Sequence, residues 1–278
     1  MSHSGKTPFE QSVNARRNME GIAHKILVMS GKGGVGKTTL AVNLAAAFSQ
    51  MGYSVGLLDV DIHGPNVPKM TGTEGVQAGF EEGRIVPVKT QGGMKVLSIS
   101  SFLPEGNSAV IWRGPMKISA IRQFLGDADW SGTEVLVVDC PPGTGDEPLT
   151  VAQLLPDADG AVIVTSPQEV ALLDSARSVD FAQRVKLNVL GVVENLSGFV
   201  CPHCGKTTDL FKTGGGEDVA RKLGVPFLGR VPISPAMVLA GDSGTPLLDV
   251  SPDDLAAKAL AQVAERLATG WARPGGAA

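Results

Sequence analysis

The run Gly31-Lys32-Gly33-Gly34-Val35-Gly36-Lys37-Thr38 carries the plainest chemistry in the sequence. Its spacing is GxxxxGK[ST], in which glycines let successive backbone N–H groups turn inward around an anion. The helix expected to open at its end adds a favourable dipole. Lys37 is then placed to neutralise phosphate charge, and the Thr38 hydroxyl to ligate Mg2+. A phosphate cradle has no need of Lys32, whose side chain can point out of its own site; a lysine in such a place is ordinarily a solvated charge. Further along, Leu57-Leu58-Asp59-Val60-Asp61 ends a strand pattern in two carboxylates at alternate positions, which places both on one side of an extended chain. A second such strand, Val135 to Val138, ends in Asp139 and runs into Cys140-Pro-Pro-Gly143-Thr-Gly-Asp146. An aspartate at a buried strand tip suits a direct or water-mediated Mg2+ contact, and the glycine-containing loop after it suits a sensor of the terminal phosphate. Each aspartate alone reads equally well as an exposed strand-end charge.

The chain has three cysteines. Cys201-Pro-His-Cys204-Gly205 has the shape of a knuckle in which two thiolates converge on one metal, with Gly205 permitting the tight turn. Tetrahedral zinc or a four-iron cluster normally takes four thiolates, and the chain contains no second CxxC or HxxxH, so two chains together could complete the set. A thioredoxin-like redox pair fits less well, because Lys206-Thr207-Thr208-Asp209 does not read as a helix opening after the pair. Zinc bridging two chains is the stronger alternative to iron. Cys140 reads as a small core residue and His203 as a solvated side chain.

Elements that can position these groups alternate along the chain. Short β-branched runs at Ile26 to Met29, Val55 to Leu58, Val135 to Val138, Ala161 to Thr165 and Val189 to Val193 read as buried strands. Helical patterns such as Thr38 to Gln50 and Glu169 to Val185 lie between them, so an α/β fold with a doubly wound, mainly parallel sheet is expected. Ligands of such sheets bind where the strands' carboxyl ends emerge. Residues 72–101 read as a hairpin-like excursion. A last helix is expected with Ser251 as N-cap, Pro252 at the first helical position and Asp254 in the first turn, and with Leu255, Leu260, Val263 and Leu267 on one side. Residues 1–22 are expected to be a flexible segment, 23–270 one ATPase domain with a CxxC insertion near 199–212, and 271–278 a disordered tail.

Bulk properties narrow the field. With 24 Lys+Arg against 28 Asp+Glu, a net charge of -4 gives no global positive field for nucleic acid or anionic lipid. There is no apolar run of about 18 residues for a bilayer span and no signal-peptide pattern, so a cytoplasmic protein is expected. The absence of an Asn-Lys-x-Asp signature argues for adenine over guanine, hence ATP with Mg2+.

Taken together, Lys32-Gly33-Gly34-Val35-Gly36-Lys37-Thr38-Thr39 resembles the deviant Walker A motif of the ParA/MinD-like P-loop ATPases. Asp59-Val-Asp61-Ile-His-Gly-Pro65, Trp112-Arg-Gly-Pro-Met116, Asp139 to Thr144, Thr165-Ser-Pro-Gln-Glu169, Glu194-Asn195 and Cys201 to Cys204 bring the chain closer still to the Mrp (ApbC-like) iron–sulfur cluster carriers, over about residues 22–270. The resemblance implies a slow ATPase in which Gly31 to Thr39 hold the nucleotide, Lys32 reaches the partner's nucleotide across a homodimer, Asp61 assists the attacking water, Asp139 serves Mg2+ and Asn195 meets the adenine. It further implies a [4Fe-4S] cluster on the two-fold axis, held by Cys201 and Cys204 of each subunit and passed to apo iron–sulfur proteins. Relatives with an extra amino-terminal cluster site carry cysteines there; residues 1–22 hold none, so one cluster per dimer is expected. A ParA/MinD-type positioning ATPase is a second reading, disfavoured by the lack of a basic amphipathic carboxyl-terminal helix or a basic surface run. The third reading is an ATP-driven electron donor.

Overall fold

The computed structural model describes residues 7–102, 113–201 and 204–272. In chain order they form α1 (Pro8–Met19), β1 (His24–Ser30), α2 (Lys37–Gln50), β2 (Val55–Asp59) and α3 (Val67–Met70). Short strands β3 (Gly79–Glu81), β4 (Arg84–Val86), β5 (Val88–Lys89) and β6 (Lys95–Leu97) follow, then α4 (Gly114–Gly126), β7 (Val135–Asp139), α5 (Asp146–Leu154) and β8 (Gly160–Thr165). The remainder comprises α6 (Glu169–Arg184), β9 (Val189–Glu194), β10 (Phe199–Val200), β11 (Thr207–Thr208), α7 (Gly215–Leu223), β12 (Phe227–Arg230), α8 (Pro235–Asp242), α9 (Leu247–Val250) and α10 (Leu255–Leu267).

Among the described residues the main sheet has eight strands in the order β12-β9-β8-β1-β7-β2-β6-β5, parallel except for the edge pair β5 and β6. This is the doubly wound, mainly parallel α/β sheet that the strand pattern implies. Alternation along each strand divides the core. Leu27 and Met29 of β1 face one layer with α1, α4, α5 and α7, whereas Ile26 and Val28 face another with α2, α9 and α10. The same alternation in β7 sends Val135 and Val137 toward α2, so that Asp139, two residues on, emerges on the α2 side. Residues 72–101 do more than make a hairpin. While β3 and β4 pair apart from the main sheet, β6 joins it parallel to β2 and brings Ser98 to the end of β2.

Three expectations need correction. The segment 1–22 is not simply flexible, because Pro8–Met19 is a helix entered through a capping box, with Thr7 Oγ1 accepting from Glu10 N and Glu10 Oε2 accepting from Thr7 N. Few apolar residues announce this helix; Ala15 and Met19 bury it in the core, and polar long-range bonds add to the hold. Asn18 Nδ2 donates to Leu125 O and Ala128 O, and the buried Lys25 ammonium donates to Met19 O and Ile22 O at 3.2 and 2.6 Å, which satisfies orphan carbonyls just past the helix. Residues 1–6 lie outside the described residues. The last helix begins at Leu255 and not near Pro252: Asp254 is its N-cap, accepting from Ala256 N at 2.8 Å and from the Ser234 hydroxyl. The tertiary bond to Ser234 selects Asp254 over Ser251 as the cap. Of the expected tail, Trp271 stacks on His24 with ring centroids 3.8 Å apart and Ala272 O accepts from the Tyr53 hydroxyl; residues 273–278 lie outside the described residues.

Met19, the last residue of α1, is buried in the core layer it shares with α4 and α5. Met19→Ala is expected to lower stability by about 2–5 kcal/mol, read as a fall in the urea midpoint; a midpoint unchanged from the parent would mean that α1 is not docked in solution.

Candidate nucleotide site and CxxC hairpin

At the carboxyl ends of β1, β2 and β7 the chain gathers one ammonium and three carboxylates. The loop after β1 runs from Gly31 through Gly36, which serves as N-cap of α2 with a left-handed φ of 82° and no side-chain cap. Backbone N–H groups of the first helical turn are therefore left to a ligand, the arrangement that favours phosphate. Glycine is required at the two ends of the loop for a second reason. A Cβ at Gly31 would lie 2.1 Å from Asp174 O, and one at Gly36 would lie 2.1 Å from Asn195 Nδ2.

Lys37, buried at the start of α2, holds Asp139 Oδ1 at 2.6 Å, and the Thr38 hydroxyl donates to Asp139 Oδ2 at 2.8 Å. Thr38 Oγ1 and Asp139 Oδ2 thus form a pair of hard oxygen donors of the kind Mg2+ takes. Asp59, register partner of Asp139 across β2 and β7, accepts from Asp61 N at 2.9 Å through Oδ1 and from the Ser98 hydroxyl at 3.2 Å through Oδ2. Burial, and next the neighbouring Asp139 charge, push the Asp59 carboxyl well above the usual carboxylate range. Burial also raises Asp139, against the opposing pull of the Lys37 ammonium and the Thr38 hydroxyl. Asp61 lies just past the strand, half-buried, and caps the following turn by accepting from Gly64 N. Sequence spacing brought Asp59 into view beside Asp61, but Ser98 had no local signal.

Lys32 does not join this cluster. Its ammonium reaches outward to Gln168 Oε1 at 3.3 Å, on the loop between β8 and α6. That loop also accepts Asn195 N at Thr165 O, and Glu169 pairs with Lys212, which gives the Thr165 to Glu169 segment a concrete place between the phosphate loop and the CxxC excursion. Of Trp112 to Met116, Trp112 lies outside the described residues; Arg113 is the N-cap of α4. One turn on, Lys117 contacts His63 Nε2 at 3.0 Å and Glu147 Oε1 at 2.5 Å, tying the loop after Asp61 to the start of α5.

Asn195, buried at the end of β9, donates from Nδ2 to Val35 O at 2.9 Å. With Gly34, Gly36, Thr38, Thr39 and Pro232 it lines a cleft of about 430 Å3 beside the phosphate loop, room for a purine base. Six residues after Asn195 comes Cys201. Strands β10 and β11 form the hairpin that carries it, closed by Cys201 N to Lys206 O and Gly205 N to Cys201 O, with Gly205 at φ 69°. Cys201 is half-buried and Cys204 exposed; Pro202 and His203 lie outside the described residues. Cys140, by contrast, is fully buried in the layer of the core away from α2, and desolvation drives its thiol far up. It is a core residue, as its composition suggested. No helix among the described residues is long and apolar enough to cross a membrane.

A family profile of the ParA group, described as NUBPL iron-transfer P-loop NTPase, matches residues 21–268. The chain belongs to this family. The chain is similar to the iron–sulfur cluster carrier protein of Methanocaldococcus jannaschii, 48% identical over 260 residues that cover 93% of this chain and 90% of that one. The iron–sulfur cluster carrier protein of Saccharolobus solfataricus is 45% identical over 255 residues, 92% of this chain and 86% of the relative. Among solved structures, a nucleotide-binding protein in complex with ADP from Archaeoglobus fulgidus superposes with TM-score 0.76 at 36% identity, covering 87% of this chain and 94% of that one. The septum site-determining protein MinD of Pyrococcus horikoshii, complexed with Mg-ADP, gives TM-score 0.65 at 23% identity over 88% and 95%, a likeness of fold. The deviant Walker A P-loop NTPase fold expected of the sequence is therefore the fold of this family.

Crowding of Asp59, Asp61 and Asp139 generates a test. A raised folded pKa means that the native state binds the Asp59 proton more tightly than the unfolded chain, so stability falls as pH rises from the ordinary carboxylate value through the raised one. Asp59→Asn removes that penalty while its amide can still meet Asp61 N and Ser98. Without nucleotide or Mg2+, the variant is expected to have a higher urea midpoint than the parent at pH 8, the gain shrinking as pH is lowered toward 5; an equal gain at both pH values would contradict the assignment.

Proposed function

We propose that this chain is an ATP-dependent iron–sulfur cluster carrier that works as a homodimer, holding its cargo between the CxxC hairpins of two subunits and passing it to apo-proteins. The observation that carries the reading is the placement of two non-core thiols on a hairpin that follows the cleft-lining Asn195 by a few residues, while the third cysteine is sealed in the core. Two thiolates per chain make half of a four-thiolate set, and a second copy supplies the remainder. The names of the relatives, iron–sulfur cluster carriers at 45–48% identity, support the cargo.

On this reading Gly31 to Thr39 wrap the phosphates, Lys37 neutralises their charge, and Asn195 presents its amide to the adenine edge, whose donor and acceptor an amide can match. Thr38 and Asp139 would hold Mg2+, which draws charge off the transferring phosphoryl group when bound. The paired oxygens of Thr38 and Asp139 fit that ion. Asp61 orients the attacking water. Lys32, turned away from its own cluster toward Gln168, acts on the nucleotide of the partner. Exposed Val170, Leu210 and Phe211 line, together with Lys32 and Gln168, a groove of about 600 Å3, which suits a face buried between two copies.

Two lysines five residues apart should therefore fail differently. Lys37→Ala is expected to lose Mg-ATP binding, whereas Lys32→Ala keeps binding within about threefold and loses turnover by on the order of 10³-fold, as for other charges supplied in trans. Equal loss of binding in both variants, by equilibrium binding with a labelled ATP, would remove the trans role. For the cargo, anaerobic loading with iron and sulfide should give about four irons per dimer, lost in Cys201→Ala and Cys204→Ala and kept in Cys140→Ala. Zinc alone at the hairpins, with no iron taken up, would replace the carrier reading by a structural metal site.

A further inference from the structure

Between the end of β9 and the start of α7 the chain leaves the body of the fold, makes the CxxC hairpin and returns. Both ends of this excursion meet at one side chain. Glu194, the last residue of β9, is fully buried. Its Oε1 accepts from the Ser197 hydroxyl at 2.5 Å, on the outgoing limb, and from Gly214 N at 2.9 Å, on the returning limb. Its Oε2 accepts from Gly216 N at 2.5 Å, in the first turn of α7. A carboxylate there meets the positive end of α7, whose N-cap Gly214 has no side chain to offer. Glycine at 216 makes room for it, since a Cβ would lie 2.9 Å from Glu194 Cβ. Arg230 Nε, at 3.7 Å, adds charge compensation for a group that burial would otherwise penalise.

The neighbouring residue faces the nucleotide cleft. Asn195 Nδ2 bonds Val35 O inside the phosphate loop, and Asn195 N bonds Thr165 O. Consecutive residues at a strand end point to opposite sides, so one peptide separates the amide that lines the cleft from the carboxylate that closes the hairpin's base. Val231 N to Glu194 O and Ser197 N to Val231 O lace the same short stretch to β12's end, leaving little slack by which movement at Asn195 could dissipate.

We propose that Glu194 is a positioning residue that transmits the state of the nucleotide cleft to the CxxC hairpin, so that binding of a nucleoside triphosphate at Asn195 resets the exposure of Cys204. The proposal rests on the assignment of Asn195 to the base and of the hairpin to exchange of cargo. It gives hydrolysis a physical route to grip or surrender a metal cluster without any contact between the two ligands.

The test uses reduced, metal-free, full-length protein and measures the rate at which iodoacetamide alkylates Cys204, by peptide mass spectrometry, with and without Mg-ATP. Buried Cys140 serves as the internal standard for intact folding. Mg-ATP is expected to change the Cys204 rate in the parent by about fivefold or more. Glu194→Gln keeps the shape but removes the charge and one of the two accepting oxygens; Ser197→Ala deletes only the hydroxyl's bond to Oε1 and leaves Ser197 N on Val231 O. In both, the nucleotide effect should shrink to less than about twofold while Mg-ATP affinity stays near that of the parent. A parent rate indifferent to nucleotide overturns the proposal, and so does full retention of the effect in both variants, which would assign the change to dimerisation alone. Loss of Mg-ATP affinity in Ser197→Ala to the same extent as loss of the alkylation effect also overturns it, because the tie would then merely support the cleft. Failure of iron loading is a separate result: it defeats the carrier reading and leaves these alkylation rates standing.

Discussion

The ion pair between Lys37 and Asp139 fixes the geometry on which the rest depends. It joins the first residue of α2 to the last residue of β7 with both side chains buried, so the phosphate loop between β1 and α2 has its two ends anchored to neighbouring strands. Removing one partner of a buried pair typically costs about 3–5 kcal/mol because the other charge is stranded. Here the stranded group would be a carboxylate already crowded by Asp59 and Asp61. The site therefore holds more negative charge than one ammonium can balance, a condition that a divalent cation relieves.

Sheet geometry does the remaining positioning. Parallel strands deliver all their carboxyl ends to one edge, and the period of two along β2 and β7 selects the side. Leu57 and Val137 lie on the α2 face, so Asp59 and Asp139 do as well, whereas Cys140 falls on the other. A thiol next in sequence to the central carboxylate is thereby kept out of the chemistry by one residue of register.

How much of this could be read from the sequence depended on how local the cause was. The phosphate loop, the strand-end aspartates and the CxxC turn are written in contiguous residues; the structure places the first two at the sheet edge that their pattern implied, and Cys201 and Cys204 at a hairpin that the pattern did not specify. The helix Pro8–Met19 was hidden because only Ala15 and Met19 of it enter the core, too few for an apolar period, while Asn18 and Lys25 add bonds to carbonyls that folding brings near. The start of α10 was displaced because Ser234 recruits Asp254 from another element. Lys117, Ser98 and Glu194 act through partners that only folding brings near; Glu194 stood out in the sequence only as part of the Glu194-Asn195 motif, which gave its carboxylate no partner. The segment Trp112 to Met116 and the loop Thr165 to Glu169 had no evident mechanism in one dimension; in three, the helix begun by the first carries Lys117, and the second touches Lys32 and Asn195.

The near-contact of Gly36 with Asn195 has a consequence on the timescale of lineages. The missing Cβ at 36 leaves the space that the Asn195 amide occupies, so the glycine sets the room available at 195. A methyl group at 36 would displace that amide and would still strain the left-handed turn, and a bulkier amide at 195 has nowhere to go while the loop keeps its turn. Across divergent copies of this fold, glycine should therefore persist at 36 even where 195 has shrunk, a one-sided inheritance in which the loop dictates to the strand end.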